Sequence, residues 1–288
     1  MVAFPKQAED VIDRLIRLEN QISDKEWSRG YRTRRATTSL EVYNKLDKIL
    51  NPIINERHAV VALRYAAALT DWIHHHMDLD ARQLIGITRI RRLIDQITER
   101  TVPYLENRAV LETGLTALSY FDAKESAHAI QTLVTLGLFE HRRNPEPTKF
   151  LCEVAEKSTR VCVSNDERII RFLPDMLVQV MLAHVSKQQV VQPAAKALKN
   201  VVKSLLPEHF RRPELHERIP FCLNMTALCA HTRGDVETTE ACLAIKTIAA
   251  RFMPIDGWAV YNFAGISTMT TPRETRIAKR ARLGSETK

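Results

Sequence analysis

Glycine is scarce in this chain, at eight of 288 residues. That scarcity argues against folds that depend on glycine-rich phosphate loops or on many tight β-turns. The patterns G-x-x-x-x-G-K-[ST], G-x-G-x-x-G and G-x-S-x-G are absent. Paired carboxylates occur only as dipeptides in charged stretches, so the expectation is a non-enzymatic protein with no cofactor and no small-molecule substrate. Cysteine is also sparse. The five residues Cys152, Cys162, Cys222, Cys229 and Cys242 are odd in number, form no C-x-x-C pair and lie in apolar stretches. This is the usage of buried, reduced thiols in an intracellular compartment. No run of 18 apolar residues exists, which predicts no membrane insertion. The first thirty residues carry Glu9, Asp10, Asp13, Glu19, Asp24 and Glu26, unlike a cleavable mitochondrial transit peptide, which is poor in acids.

Helix signals are plentiful. Thr38 with Glu41, Asp80 with Gln83, Asp122 with Glu125 and Ser164 with Glu167 each offer a capping oxygen followed three residues later by Glu or Gln. Leu84, Ile87, Ile90, Ile94 and Ile97 step by three or four, as do Cys242, Ile245, Ala249 and Phe252. The fold class expected is all-α, built as stacked antiparallel helix pairs in a HEAT- or armadillo-like α-solenoid. A helix over 5–23, a basic connection to 37 and a helix over 39–50 come first. Pairs follow at 56–76 with 81–100, 105–121 with 124–139, 147–161 with 166–187, 191–206 with 216–231, and 235–252 with 257–269. Pro193 and Pro220 are placed in first turns, where a missing N–H is tolerated, and Pro174 is expected to kink or restart its helix. Several helices are apolar on most faces and must be covered on two sides, as in a solenoid. Short echoes (AALTD at 67–71, TALSY at 116–120, VTLGL at 134–138, TALCA at 226–230, AGIST at 264–268) fall late in successive helices. Domain organisation reads as an N-terminal helix and basic connection (1–37), a helical-repeat body (38–270) and a basic C-terminal tail (271–288).

The net charge of +8 is confined to two segments. Residues 25–35 (KEWSRGYRTRR) and residues 273–288 (RETRIAKRARLGSETK) each carry a balance of +4, and the remaining positions hold 31 basic and 31 acidic side chains. Basic arms on a neutral body predict contact with a polyanion. In the first arm Arg29, Arg32, Arg34 and Arg35 suit phosphate contacts, while Trp27 and Tyr31 suit stacking on exposed bases or packing against the body. In the second arm Arg273, Arg276, Lys279, Arg280 and Arg282 suit the same role, and Lys279–Arg282 also matches a minimal nuclear-import pattern. A further basic stripe, Arg82, Arg89, Arg92 and Arg100, lies opposite the isoleucines of helix 81–100, where it also reads as an ordinary charged outer face. His74, His75 and His76 are consecutive, so on a helix they point about 100° apart and cannot converge on one metal ion.

Residues 119–161 (SYFDAKESAHAIQTLVTLGLFEHRRNPEPTKFLCEVAEKSTRV) resemble a helix-pair unit of organellar RNA-associated repeat proteins. These are the FAST-kinase-like, heptatricopeptide and octotricopeptide families. Leu136-Gly137, the turn His141–Pro147, and Phe150-Leu151 with Val154-Ala155 take the places of the family pattern. The resemblance implies a role in organellar RNA biology, such as a lineage-specific mitochondrial ribosome component or an RNA-processing cofactor. The partners expected are then RNA, most simply ribosomal RNA contacted without sequence reading, and the protein subunits of a large complex, in mitochondria. A nuclear or cytosolic protein-interaction adaptor, with the C-terminal arm as import signal, is the competing expectation.

Overall fold

The computed structural model of the protein describes residues 86–252, together with scattered positions between 44 and 70 that are helical. The expected helices at 5–23 and 257–269, and the starts at Thr38 and Asp80, lie outside the described residues.

Among the described residues the fold is all-helical, with no strand. In chain order the helices are α1 (Ile87–Thr101), α2 (Arg108–Ser119), α3 (Ala123–His141), α4 (Pro145–Val161), α5 (Glu167–Ala183), α6 (Gln188–Ser204), α7 (Pro213–Thr232) and α8 (Val236–Ala249). Short 3-10 turns cover Val102–Tyr104 and Pro207–Arg211.

Local chemistry explains most boundaries. Asp122 caps α3, its carboxylate accepting from the Lys124 N–H at 2.9 Å. Asn107 caps α2 by accepting from the Ala109 and Val110 N–H groups at 2.9 and 3.3 Å. The start expected at Ser164 moves two residues on. Asp166 accepts from the Arg168 N–H at 2.8 Å, while Ser164 Oγ accepts from the Asp166 N–H at 3.2 Å. The helix expected over 81–100 begins at Ile87, directly after Gly86, whose φ of 73° is open to glycine and strained for other residues. Pro145 opens α4, two residues before the expected start, because a first-turn proline lacks only an N–H that has no helical partner.

Two proline placements are corrected. Pro193 and Pro220 lie inside α6 and α7, not in first turns. For α6 the reason is visible: the Val190 and Val191 N–H groups bond the Lys187 carbonyl at 3.0 and 3.1 Å, fixing the first turn ahead of the proline. Pro174 also sits within α5, which is helical on both sides of it.

The chain divides into two compact units, residues 1–176 and 177–288. In the first, α1 packs on α2 and α3, α2 on α3, and α3 on α4. Glycines set how closely these helices meet. A Cβ at position 114 in α2 would stand 2.9 Å from Thr101 Cγ2. A Cβ at position 137 in α3 would stand 2.8 Å from Leu111 Cδ2 of α2 and 3.2 Å from both Leu151 methyls of α4. Position 137 is near the end of α3 and Leu151 is in the first half of α4, so these two helices run antiparallel. One buried amide ties the same layer to the next connection. Gln131 donates to the Cys162 carbonyl at 2.7 Å and accepts from the Ser164 N–H at 2.9 Å, so both ends of a fully buried side chain are satisfied.

In the second unit α8 packs on both α6 and α7. The turn between α7 and α8 is a Schellman close. The Asp235 N–H reaches the Ala230 carbonyl at 2.9 Å, the Gly234 N–H reaches His231 at 3.0 Å, and Gly234 takes a φ of 71°. Asp235 then caps α8 from a buried position, accepting from the Thr238 N–H at 3.1 Å and the Thr238 hydroxyl at 2.6 Å. Phe210 and Phe252 stack with ring centroids 5.2 Å apart.

Two stability outcomes follow. Gly137→Ala pushes a methyl into Leu111 and Leu151, and chemical denaturation is expected to show a loss of about 1–3 kcal/mol, as for other overpacked cores. Asp235→Ala removes the cap and leaves the Thr238 donors without it, with an expected loss of about 1–2 kcal/mol in the same measurement. Unchanged denaturation midpoints would contradict either assignment.

Candidate nucleic-acid interface

The arm residues Arg29, Arg32, Arg34, Arg35, Trp27 and Tyr31, the tail residues Arg273, Arg276, Lys279, Arg280 and Arg282, and Arg82 of the secondary stripe lie outside the described residues, as do His74–His76.

Three members of the stripe are on α1. Its buried side is Ile90, Leu93, Ile94, Ile97 and Thr101. Arg89 and Arg92 are exposed and Arg100 is half-buried. At about 100° per residue, Arg89 and Arg100 fall on one flank of the isoleucine face, whereas Arg92 points further out. Asp95 and Glu99 share that outer surface. An open depression of 520 Å³ runs along it, lined by Thr88, Arg91, Arg92, Asp95, Gln96 and Glu99. Two arginines and two carboxylates make this a mixed field, so its arginines act on a distant phosphate against neighbouring acids.

A second basic stripe lies on α6, away from the arms and from α1. Val190, Val191, Ala194, Ala195, Ala197, Leu198, Val201 and Val202 are buried, leaving Gln192, Lys196, Lys199, Asn200 and Lys203 on the outer side. Spacings of four, three and four place Gln192, Lys196, Lys199 and Lys203 in one stripe. Glu237 of α8 anchors the first turns of the stripe, accepting from Gln192 Nε2 at 2.7 Å and pairing with Lys196. The signal was available in the sequence. Residues 188–204 contain three lysines and no carboxylate, and α6 is the one helix among the eight described that has none.

Chemistry of other kinds finds little support. Among the described residues no group of three His, Cys, Asp or Glu side chains could hold a metal ion, and no helix is long and apolar enough to cross a membrane. His128 Nδ1 lies 3.1 Å from Ser164 Oγ, a nucleophile–base distance. The pair is exposed, however, and the serine oxygen already accepts the Asp166 N–H. No carboxylate among the described residues bonds the other ring nitrogen to orient it. An apolar groove of 360 Å³ between α2, α3 and α4 is lined by Leu115, Phe121, Ile130, Phe150 and Val154, among others. No titratable pair stands over it.

All five cysteines are free thiols. Cys152, Cys222 and Cys242 are buried, and desolvation raises the pKa of each, for Cys222 to about 12. Cys222 Sγ contacts the Val178 carbonyl at 3.6 Å and sits beside Thr226, as a packed side chain. Cys162 and Cys229 are partly exposed.

Compared with known proteins, the chain matches no family model, no curated protein and no solved structure.

The buried thiols make the fold sensitive to base. They stay neutral in the fold but ionise near pH 8.5 in the unfolded chain, which then holds fewer protons. Stability is therefore expected to fall as the pH rises from about 8.5 toward about 12, the value for Cys222. In native alkylation at mildly alkaline pH, Cys162 and Cys229 are expected to label before Cys152, Cys222 and Cys242; the reverse order would contradict the packing described.

Proposed function

We propose that this protein is a non-catalytic helical-repeat subunit of a large ribonucleoprotein. The mitochondrial ribosome or an organellar RNA-processing complex is the best-supported setting, and the basic arms contact RNA phosphates there. The observation that carries this is the partition of charge. All of the +8 sits in residues 25–35 and 273–288, on an otherwise balanced chain. Such arms bind the phosphate backbone without reading sequence, and a neutral helical body packs against protein neighbours. Arg29, Arg32, Arg34, Arg35, Arg273, Arg276, Lys279, Arg280 and Arg282 are the phosphate-contacting residues, with Trp27 and Tyr31 stacking on bases.

Stacked helix pairs are the architecture we assign to the body. Sequence neighbours pack (α1 on α2, α3 on α4, α7 on α8), and so do next neighbours (α1 on α3, α6 on α8). Packing on first and second neighbours within a unit supports stacked pairs. The resemblance of residues 119–161 to organellar RNA-associated repeats, whose first helix ends near Leu-Gly as this one does at Leu136-Gly137, supports the RNA setting over the adaptor alternative.

The test is salt-dependent RNA binding by the full chain. Binding to single-stranded RNA is expected at low salt, to weaken steeply toward moderate salt, and to drop about tenfold or more when Arg29, Arg32, Arg34 and Arg35 become alanine. If the chain ignores RNA at low salt, and loss of residues 273–288 merely keeps it out of the nucleus, the adaptor reading replaces this one.

A further inference from the structure

We propose that the outer stripe of α6 is a second phosphate-backbone site, formed by Lys196, Lys199 and Lys203 with Gln192 and Asn200 beside them. It takes its partner class from the RNA reading above, but it does not depend on the arms. Three features point to a single RNA strand.

The first is an excess of positive charge at the Lys199–Lys203 end. No carboxylate lies within residues 188–204, and among the described residues none pairs with Lys199 or Lys203. Glu237 engages only the Lys196 end, where it also holds Gln192 and so fixes the stripe relative to α8.

The second is geometry. At 1.5 Å rise per residue, Lys196 to Lys203 spans about 10 Å along the axis, within a sector of roughly 60°. Three ammonium groups spaced by about one helical turn can follow the phosphates of a strand laid along that length. The buried valines and alanines of α6 hold the helix against the core, so the field is set by a rigid element.

The third is composition. Protein interfaces are depleted of lysine at their centre and need an apolar anchor, whereas this stripe is polar along its whole length. A membrane-surface helix would bury its apolar face in lipid, and that face of α6 is already in the core. Lysine, Asn and Gln are among the side chains that contact phosphate and sugar. With no aromatic on the stripe there is no platform for bases, so the site grips the backbone and is indifferent to sequence.

The experiment compares full-length protein with K199A/K203A, using polyuridylate as the probe across a salt series. Circular dichroism melting checks that the variant folds. Each lysine lost from a single-strand contact lowers the slope of log K against log salt by about 0.7, so the double variant is expected to lose about 1.4 and to bind more weakly at low salt. The arm variants are measured in parallel. A loss on the α6 variant while the arm variants bind normally supports this site and contradicts the arms. Losses on both support both. An unchanged slope in a folded K199A/K203A protein overturns the α6 site, whatever the arms do. It is equally overturned if the protein binds anionic phosphatidylserine vesicles or polyglutamate and ignores polyuridylate.

Discussion

A helix that is apolar on nearly every side cannot face water, and α3 is such a helix. Ala127, Ala129, Ile130, Leu133, Val134 and Leu138 are buried on different sides of it, so α2 and α4 must flank it at once. Two residues make that double contact possible. Gly137 lets Leu111 and Leu151 come within a methyl's width of the backbone, and Gln131 satisfies the connection that leads on to α5. Each buried methylene contributes about 0.8 kcal/mol, so the closeness of approach governs how much burial the layer achieves. Among the described helices of the first unit, α1, α2 and α4 all pack against it. In the second unit α8 occupies the corresponding middle position, between α6 and α7.

Covering the helices on both sides has an electrostatic consequence. Charged side chains are left on narrow outer strips, and several pair there: Arg108 with Glu112, Lys149 with Glu153, Lys196 with Glu237. Exposed pairs of this kind add little to stability. Their effect is to keep the field of the body low, so that an unbalanced stretch stands out against it. The arms do so in the sequence, and α6 does so on the folded surface. The carboxylate-free stretch from 188 to 204 does not show in the net charge because acids elsewhere in the sequence balance it.

The sequence and the fold agree where local chemistry decides. Asp122 caps α3 through its side chain, and the expected helices at 124–139 and 147–161 lie within observed ones that extend only one or two residues further. They part where tertiary packing overrides a local signal. Pro193 and Pro220 look like first-turn residues, yet the buried Val190 and Val191 carry α6 back past Pro193, and α7 is helical on both sides of Pro220. Ser164 looks like a cap, but Gln131 holds its backbone N–H in the connection and Asp166 takes the role. Tight spots such as Gly114 against Thr101 depend on residues brought together by the fold, and no local pattern announces them. The candidate interface was legible as charge; which basic residues share a rigid surface required the helix faces.

Under the proposed function the unbalanced lysines and arginines are where the chain meets RNA in a larger assembly. The most direct measurement is sedimentation of the protein from native extract, with and without ribonuclease. The account predicts co-sedimentation with a large RNA-containing particle that is lost or shifted on ribonuclease treatment. Sedimentation as a free chain, or in a protein complex indifferent to ribonuclease, would contradict it.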